Sequence, residues 1–137
     1  MTGFVIDASL TLAWYFDDER AEETLLGRAV EDGVVVPAHW WLEIANGALM
    51  GERGQRARVA DIAKLDALVG LMSVETDSPI GEDVFARVVP LARAHRLTIY
   101  DALYLELAER RGLALATLDK ELAHAARSVG VELLEPA

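Results

Sequence analysis

The sequence contains no cysteine in 137 residues, which excludes a disulfide scaffold, a thiolate zinc site and a cysteine nucleophile. It has no apolar run near the ~20 residues that a membrane span needs. Asp7 interrupts the N-terminus before a signal-peptide core can form, so a cytoplasmic protein with no membrane partner is expected. Positive charge is scarce, with 13 Lys and Arg against 23 Asp and Glu and a formal net charge of −10. Phosphate binding relies on Lys and Arg, so this balance argues against broad binding of nucleic acid. No linker rich in Pro, Gly or Ser divides the chain, and no repeat or low-complexity tract is present. A single domain over residues 1–137 is therefore expected. A hydrophobic share of 53% is too apolar for disorder and ample for a core.

Short apolar runs alternate with longer stretches of helical spacing, the pattern of βαβ units and a parallel sheet. The strands expected are Phe4-Val5-Ile6, Val34-Val35-Val36, Met72-Ser73-Val74, Leu113 to Thr117 and Val131 to Leu134. Each is apolar throughout, as when helices cover both faces of the sheet. Helices are expected through Ala21, Leu25, Leu26 and Ala29, and through Ile62, Leu65, Leu68, Val69 and Met72. A third begins at Val84, Phe85, Val88 and Val89, where Pro90 should end or kink it. A fourth, from about Ile99 to Arg111, is apolar nearly all round and reads as buried. A last one runs through Leu122, Ala125, Ala126 and Val129 to a stop at Gly130. Gly51 to Arg56 reads as a surface turn between helices. The fold class is α/β, a parallel sheet flanked by helices in three α/β/α layers.

Most acids, such as Asp17-Asp18-Glu19 and Glu82-Asp83, sit among polar residues and read as solvated surface. Asp7, Glu43, Asp101 and Asp119 have apolar neighbours instead, where an ionised carboxylate is costly without partners. Asp7 and Asp119 each follow a strand, at the edge where open α/β sheets build their sites. Either acid also serves as a helix N-cap. Glu43 lies on a helical stripe with His39, Asn46 and Met50 that suits a polar pocket, although in isolation it reads first as an exposed helical glutamate. Thr98 and Asp101 resemble a capping box, although Glu or Gln is usual at the second position. Four carboxylates gathered at one sheet edge would repel and raise each other's pKa unless cations neutralised them. Oxygen-only ligation points to Mg²⁺ or Mn²⁺.

The segments Val5-Ile6-Asp7-Ala8-Ser9 with Trp14 and Glu19, Val36-Pro37 with Glu43-Ile44-Ala45-Asn46, Thr98 to Tyr104, and Ala116 to Leu122 occur in this order across nearly the whole chain. In these motifs the sequence resembles the PIN-domain ribonucleases, specifically the VapC-type toxins of toxin–antitoxin pairs. The resemblance implies that Asp7, Glu43, Asp101 and Asp119 form an acidic quartet holding one or two divalent cations. It places Ser9, Asn46 and Thr117 at supporting polar positions. It further implies metal-dependent hydrolysis of RNA, a homodimer, and a cognate antitoxin protein that covers the cleft, with higher assembly as a further form.

Other readings compete. Metal-free ribonucleases use histidine as acid and base, and only His39, His95 and His124 are available. Trp14-Tyr15-Phe16 and Trp40-Trp41 suit either core packing or a non-catalytic interaction module. A metal-dependent phosphatase would have Asp-x-Asp after the first strand, where this chain has Asp7-Ala8-Ser9. A phospho-receiver needs an accepting Asp after a central strand, and Ser73 to Asp77 fits that poorly. For RNA contact, Arg53, Arg56 and Arg58 form one basic patch and Arg93, His95 and Arg96 another.

Overall fold

Three consecutive apolar residues suffice for a strand when both faces are covered. Phe4-Val5-Ile6 and Val34-Val35-Val36 behave this way, forming β1 (Phe4–Ile6) and β2 (Val34–Val36) with all six residues buried. The computed structural model describes residues 3–16, 23–53 and 61–135. Its sheet has four parallel strands in the order β3-β2-β1-β4, with β3 at Val74–Thr76 and β4 at Leu115–Ala116. Val5 sits centrally, in register with Val35 on one side and Leu115 on the other.

Eight α-helices are described: α1 (Ala8–Tyr15), α2 (Glu23–Asp32), α3 (Trp40–Arg53), α4 (Ile62–Leu71), α5 (Val84–Arg87), α6 (Val89–His95), α7 (Ile99–Arg111) and α8 (Lys120–Ser128). They flank the sheet to give the three-layer α/β/α arrangement. No described helix is long and apolar enough to cross a membrane.

Several expectations shift. The strand expected at Met72-Ser73-Val74 begins two residues later. Met72 caps α4, its N–H donating to the Val69 carbonyl at 3.1 Å, and its apolar side chain is buried there. The strand expected over Val131 to Leu134 reduces to one bridge, Leu115 to Leu133, because β4 offers only two residues to pair with. Phe85, counted as apolar helix face, is 74% exposed. The helix around it breaks at Val88 and restarts as α6 with Pro90 in its first turn, where a missing N–H costs nothing. Gly130 (φ +80°) follows α8 as expected.

The turn expected from Gly51 starts later, since α3 continues through Gly51 and Glu52 to Arg53. A Cβ on Gly47 would fall 2.3 Å from a Leu12 methyl, and one on Gly51 2.3 Å from the Phe16 ring. These glycines, one turn apart, let the C-terminal half of α1 lie directly on α3. Trp14, Tyr15 and Trp40 are core residues, whereas Trp41, for which core packing and a partner surface were both open, is 41% exposed and donates Nε1–H to Thr76 Oγ1 at 3.0 Å.

Candidate active site

Because β1 ends at Ile6, the chain delivers Asp7 to the carboxyl edge of the sheet just as it turns into α1. Asp7 caps α1, as one of its two sequence readings expects. Its Oδ1 accepts from Leu10 N–H at 3.3 Å, capping α1, and from the Ser9 hydroxyl at 2.7 Å. Its Oδ2 accepts from the Thr117 hydroxyl, beyond β4. Ser9 Oγ accepts from Leu118 N–H at 3.2 Å, and Thr117 Oγ1 from Asp119 N–H at 2.9 Å. Two hydroxyls thus tie the loop after β1 to the loop after β4. Asp7 is only 4% exposed. Burial pushes its carboxyl up to about 6 despite the bonds from Thr117, Ser9 and Leu10, and the nearby Asp101 charge adds to the rise.

Asp119 follows Thr117 and caps α8, its Oδ1 accepting from Glu121 and Leu122 N–H at 2.9 and 3.1 Å. In α7 the cap is Thr98, which accepts from Asp101 N–H at 3.1 Å and leaves the Asp101 carboxylate free of capping. Burial raises the Asp101 pKa, and repulsion from Asp119 and Glu43 raises it further, against the Thr98 bond and the His39 ring.

Glu43, in the first turn of α3, is half-buried rather than an exposed helical glutamate. Its Oε1 accepts from the Tyr104 hydroxyl at 2.5 Å and lies 3.1 Å from His39 Nε2. Burial works to raise its pKa, but the bonds from His39 and Tyr104, with the His39 charge, outweigh it and hold the group below its ordinary value. Tyr104 is fully buried, and burial followed by the Glu43 carboxylate pushes its pKa far up, so it stays a hydroxyl donor. His39 Nε2 is also 3.0 Å from the Tyr100 carbonyl. Both neighbours of Nε2 are acceptors, which assigns the ring proton to Nε2.

Each of the four acids therefore stands at a helix N-terminus, where the backbone dipole favours an anion. Their mutual repulsions set them in one electrostatic neighbourhood. Among the described residues none of the four has a Lys or Arg ion-pair partner. An all-carboxylate donor set that repels itself suits a hard divalent cation. Among the described residues, however, no three His, Asp or Glu side chains converge tightly enough to form a ready-made metal cage.

Asn46, one turn beyond Glu43, is exposed and takes no part in these bonds. His124 is exposed on α8 and His95 half-buried on α6. Arg53 ends α3, while Arg56 and Arg58, like Glu19, lie outside the described residues. Arg93 and Arg96 are exposed. The roles of Tyr104 and His39 beside Glu43 are absent from the sequence reading. The spacing of Tyr104 three residues after Asp101, on one helical face, was the available signal.

Residues 4–128 match the PIN domain family. The chain is 33% identical over 125 residues to Ribonuclease VapC3 of Pyrobaculum aerophilum, an alignment covering 87% of this chain and 91% of that protein. The crystal structure of PAE2754 from Pyrobaculum aerophilum superposes with a TM-score of 0.67 at 25% identity, over 90% of this chain and 86% of that one. A PIN profile spanning nearly the whole chain, a VapC-named relative and a shared fold agree, and the protein is a member of the PIN-domain family of the VapC type.

Proposed function

We propose that this protein is a divalent-metal-dependent endoribonuclease acting as the toxin of a type II toxin–antitoxin pair. The observation that carries the reading is the buried Asp7, which has no Lys or Arg ion-pair partner among the described residues and feels the charge of Asp101, whose pKa is raised in turn by Asp119 and Glu43. The relative named Ribonuclease VapC3 supports RNA as substrate. Asp7, Glu43, Asp101 and Asp119 would hold Mg²⁺ or Mn²⁺, with Ser9, Thr117 and Asn46 as supporting polar groups. A bound divalent cation supplies Lewis acidity, which makes hydroxide available near neutral pH and offsets charge on the phosphate.

The chain's own groups prepare for that chemistry. Ser9 and Thr117 fix both oxygens of Asp7, and His39 with Tyr104 keeps Glu43 ionised and aimed. Four helix N-termini offset part of the negative charge that would otherwise repel RNA. With a net charge of −10, selection of RNA rests on metal and local contacts rather than on a broad basic surface.

The cognate antitoxin and a second copy of the chain are the protein partners in this reading. An antitoxin arginine would fit the carboxylate cluster as a bidentate substitute for the cation. Exposed Trp41, Leu42, Met50 and Ile62 on α3 and α4 favour a protein-covered surface in addition to the nuclease site. Purified protein with total RNA tests the proposal. Cleavage in Mn²⁺ or Mg²⁺ and none in EDTA is expected; cleavage that persists in EDTA, or no cleavage at all, overturns it.

A further inference from the structure

The carboxyl edge of the sheet continues past the four acids. Beyond the ends of β2 and β3 lies a cavity of about 240 Å³, with apolar walls from Pro37, Ile80 and Leu107 and polar groups from His39, Asp77 and Glu106. Pro37 directly follows β2 and Asp77 directly follows β3, so the cavity opens on the edge that carries Asp7. Adjacent strands lie roughly 5 Å apart, which puts these strand ends roughly 5–10 Å along the edge from the end of β1. A neighbouring nucleotide spans such a step. His39 belongs to both places, lining the cavity while its Nε2 holds Glu43.

The size and the wall chemistry narrow the occupant. The volume falls below the roughly 300–1,000 Å³ of pockets for drug-sized ligands, so it suits one flat ring. Asp77 Oδ2 accepts from Arg110 Nη2 at 2.5 Å and its Oδ1 from Arg111 Nη2 at 3.1 Å, while Glu106 accepts from Arg110 Nε at 2.9 Å. These arginines fix the carboxylates in place. A carboxylate offers about four acceptor positions, so Asp77 retains lone pairs for a further donor. A fixed acceptor beside apolar walls recognises an exocyclic amino group, as of cytosine or adenine, and repels the O4 oxygen of uracil.

We infer that this cavity is a nucleobase subsite, taking an amino-bearing base from a nucleotide next to the scissile phosphate. The inference rests on the ribonuclease reading above. The test uses short single-stranded oligoribonucleotides in Mn²⁺, with cytidine replaced by uridine, and adenosine by inosine, one position at a time around the cleaved bond. At one flanking position the replacement should lower kcat/KM about tenfold, the effect of one lost hydrogen bond to a charged group. Ala38 also lines the cavity. Ala38→Leu narrows it and should bring the cytidine-to-uridine ratio close to one, with thermal melting as the check on folding. Should that variant fail to fold, Asp77→Asn exchanges an acceptor for a donor and should lower or invert the same ratio.

Absence of discrimination at every position, or ratios unchanged in both variants, overturns the subsite while leaving the ribonuclease reading intact. Unchanged ratios combined with weakened binding of an antitoxin would assign the cavity to a protein side chain and equally overturn it. A wild-type protein that cleaves no RNA fails at the earlier reading, and the subsite falls with it.

Discussion

The two halves of the sheet's carboxyl edge treat buried acid in opposite ways. Past β3, Glu106 is 7% exposed and is held by Arg110, with Arg87 at 3.9 Å, while Asp77 is shared by Arg110 and Arg111 and Glu75 pairs with Arg111. Past β1 and β4, Asp7 is 4% exposed and, among the described residues, is met only by hydroxyls and one amide. Taking a carboxylate out of water is costly unless a cation and hydrogen bonds replace the lost hydration. One half supplies the cation from the chain, which holds its carboxylates braced in place. The other leaves the charge uncompensated, a local violation of the rule that tends to mark function. Equal burial with opposite compensation separates the two roles.

The strongest way to break that contrast is Asp7→Asn. If the carboxylate serves a bound cation, RNA cleavage should fall by roughly a hundredfold or more, since even indirect supports of a metal site are worth 10–100-fold. Stability should move the other way. Asp7 is raised from 3.8 to about 6, so the folded state holds its proton more tightly than the unfolded chain does. That contribution is fully present below about pH 4 and is lost as pH rises through 6. At pH 7.5 the ionised group costs roughly 3 kcal/mol by this shift. In EDTA the variant should therefore melt above wild type at pH 7.5, and the gap should close towards pH 4. Asp101, also raised, follows the same sign, whereas Glu43, lowered, gains stability above its unfolded pKa and loses it as pH falls. A variant that loses activity and stability together at pH 7.5 would place Asp7 with the braced acids.

Tyr104→Phe probes how Glu43 is held. The change removes the 2.5 Å hydroxyl bond and leaves His39 as the remaining donor. Cleavage should drop about tenfold, as for supports of a metal-binding carboxylate. The Glu43 pKa should rise towards its ordinary value, moving the acid limb of the pH–rate profile to higher pH. A rate loss with no change in that profile would leave Tyr104 as packing alone.

How much of this was readable before the fold is clear from particular residues. Asp7 and Asp119 were visible because each follows an apolar run and opens a helix, a purely local pattern. Their capping role was visible for the same reason, and both residues do cap helices. The start of β3 was misplaced because Met72 ends a helix and precedes a strand, and apolarity alone does not assign it to either. Core and surface stayed open for Trp41 because hydrophobicity predicts burial one way only, and its indole meets Thr76 at the surface. The arginine brace was invisible, since Arg110 and Asp77 are 33 residues apart and only the β3–α7 juxtaposition joins them. The same holds for Tyr104 and Glu43, 61 residues apart.

Glu106→Ala tests the braced half and should have the opposite stability sign to Asp7→Asn. It strips the buried carboxylate from Arg110, whose guanidinium is partly exposed and can rehydrate. A loss of about 1–3 kcal/mol in urea unfolding is expected, below the 3–5 kcal/mol of a fully buried pair. Arg110, whose pKa the Glu106 and Asp77 bonds now raise, would retain Asp77 alone. A stability gain in this variant would erase the distinction between the two halves.

The smallest expected effect separates cap from site within the unbraced half. Asp7 and Asp119 each cap a helix as well as belonging to the proposed acidic site, so substitution of either would disturb the cap and the site together. In α7 the functions sit on different residues, with Thr98 as the cap and Asp101 as the acid. Thr98→Ala should cost about 1 kcal/mol in unfolding stability, the usual worth of such a cap, and Thr98→Ser should restore it. Because burial and the neighbouring acids act on the Asp101 carboxylate more strongly than Thr98 does, cleavage should fall far less than in Asp7→Asn. Thr98 also lowers the Asp101 pKa through its bond, so the alanine variant should need a slightly higher pH to reach half-maximal rate. A Thr98→Ala loss as deep as that of Asp7→Asn would mean that the first turn of α7, rather than its carboxylate, is what the site requires.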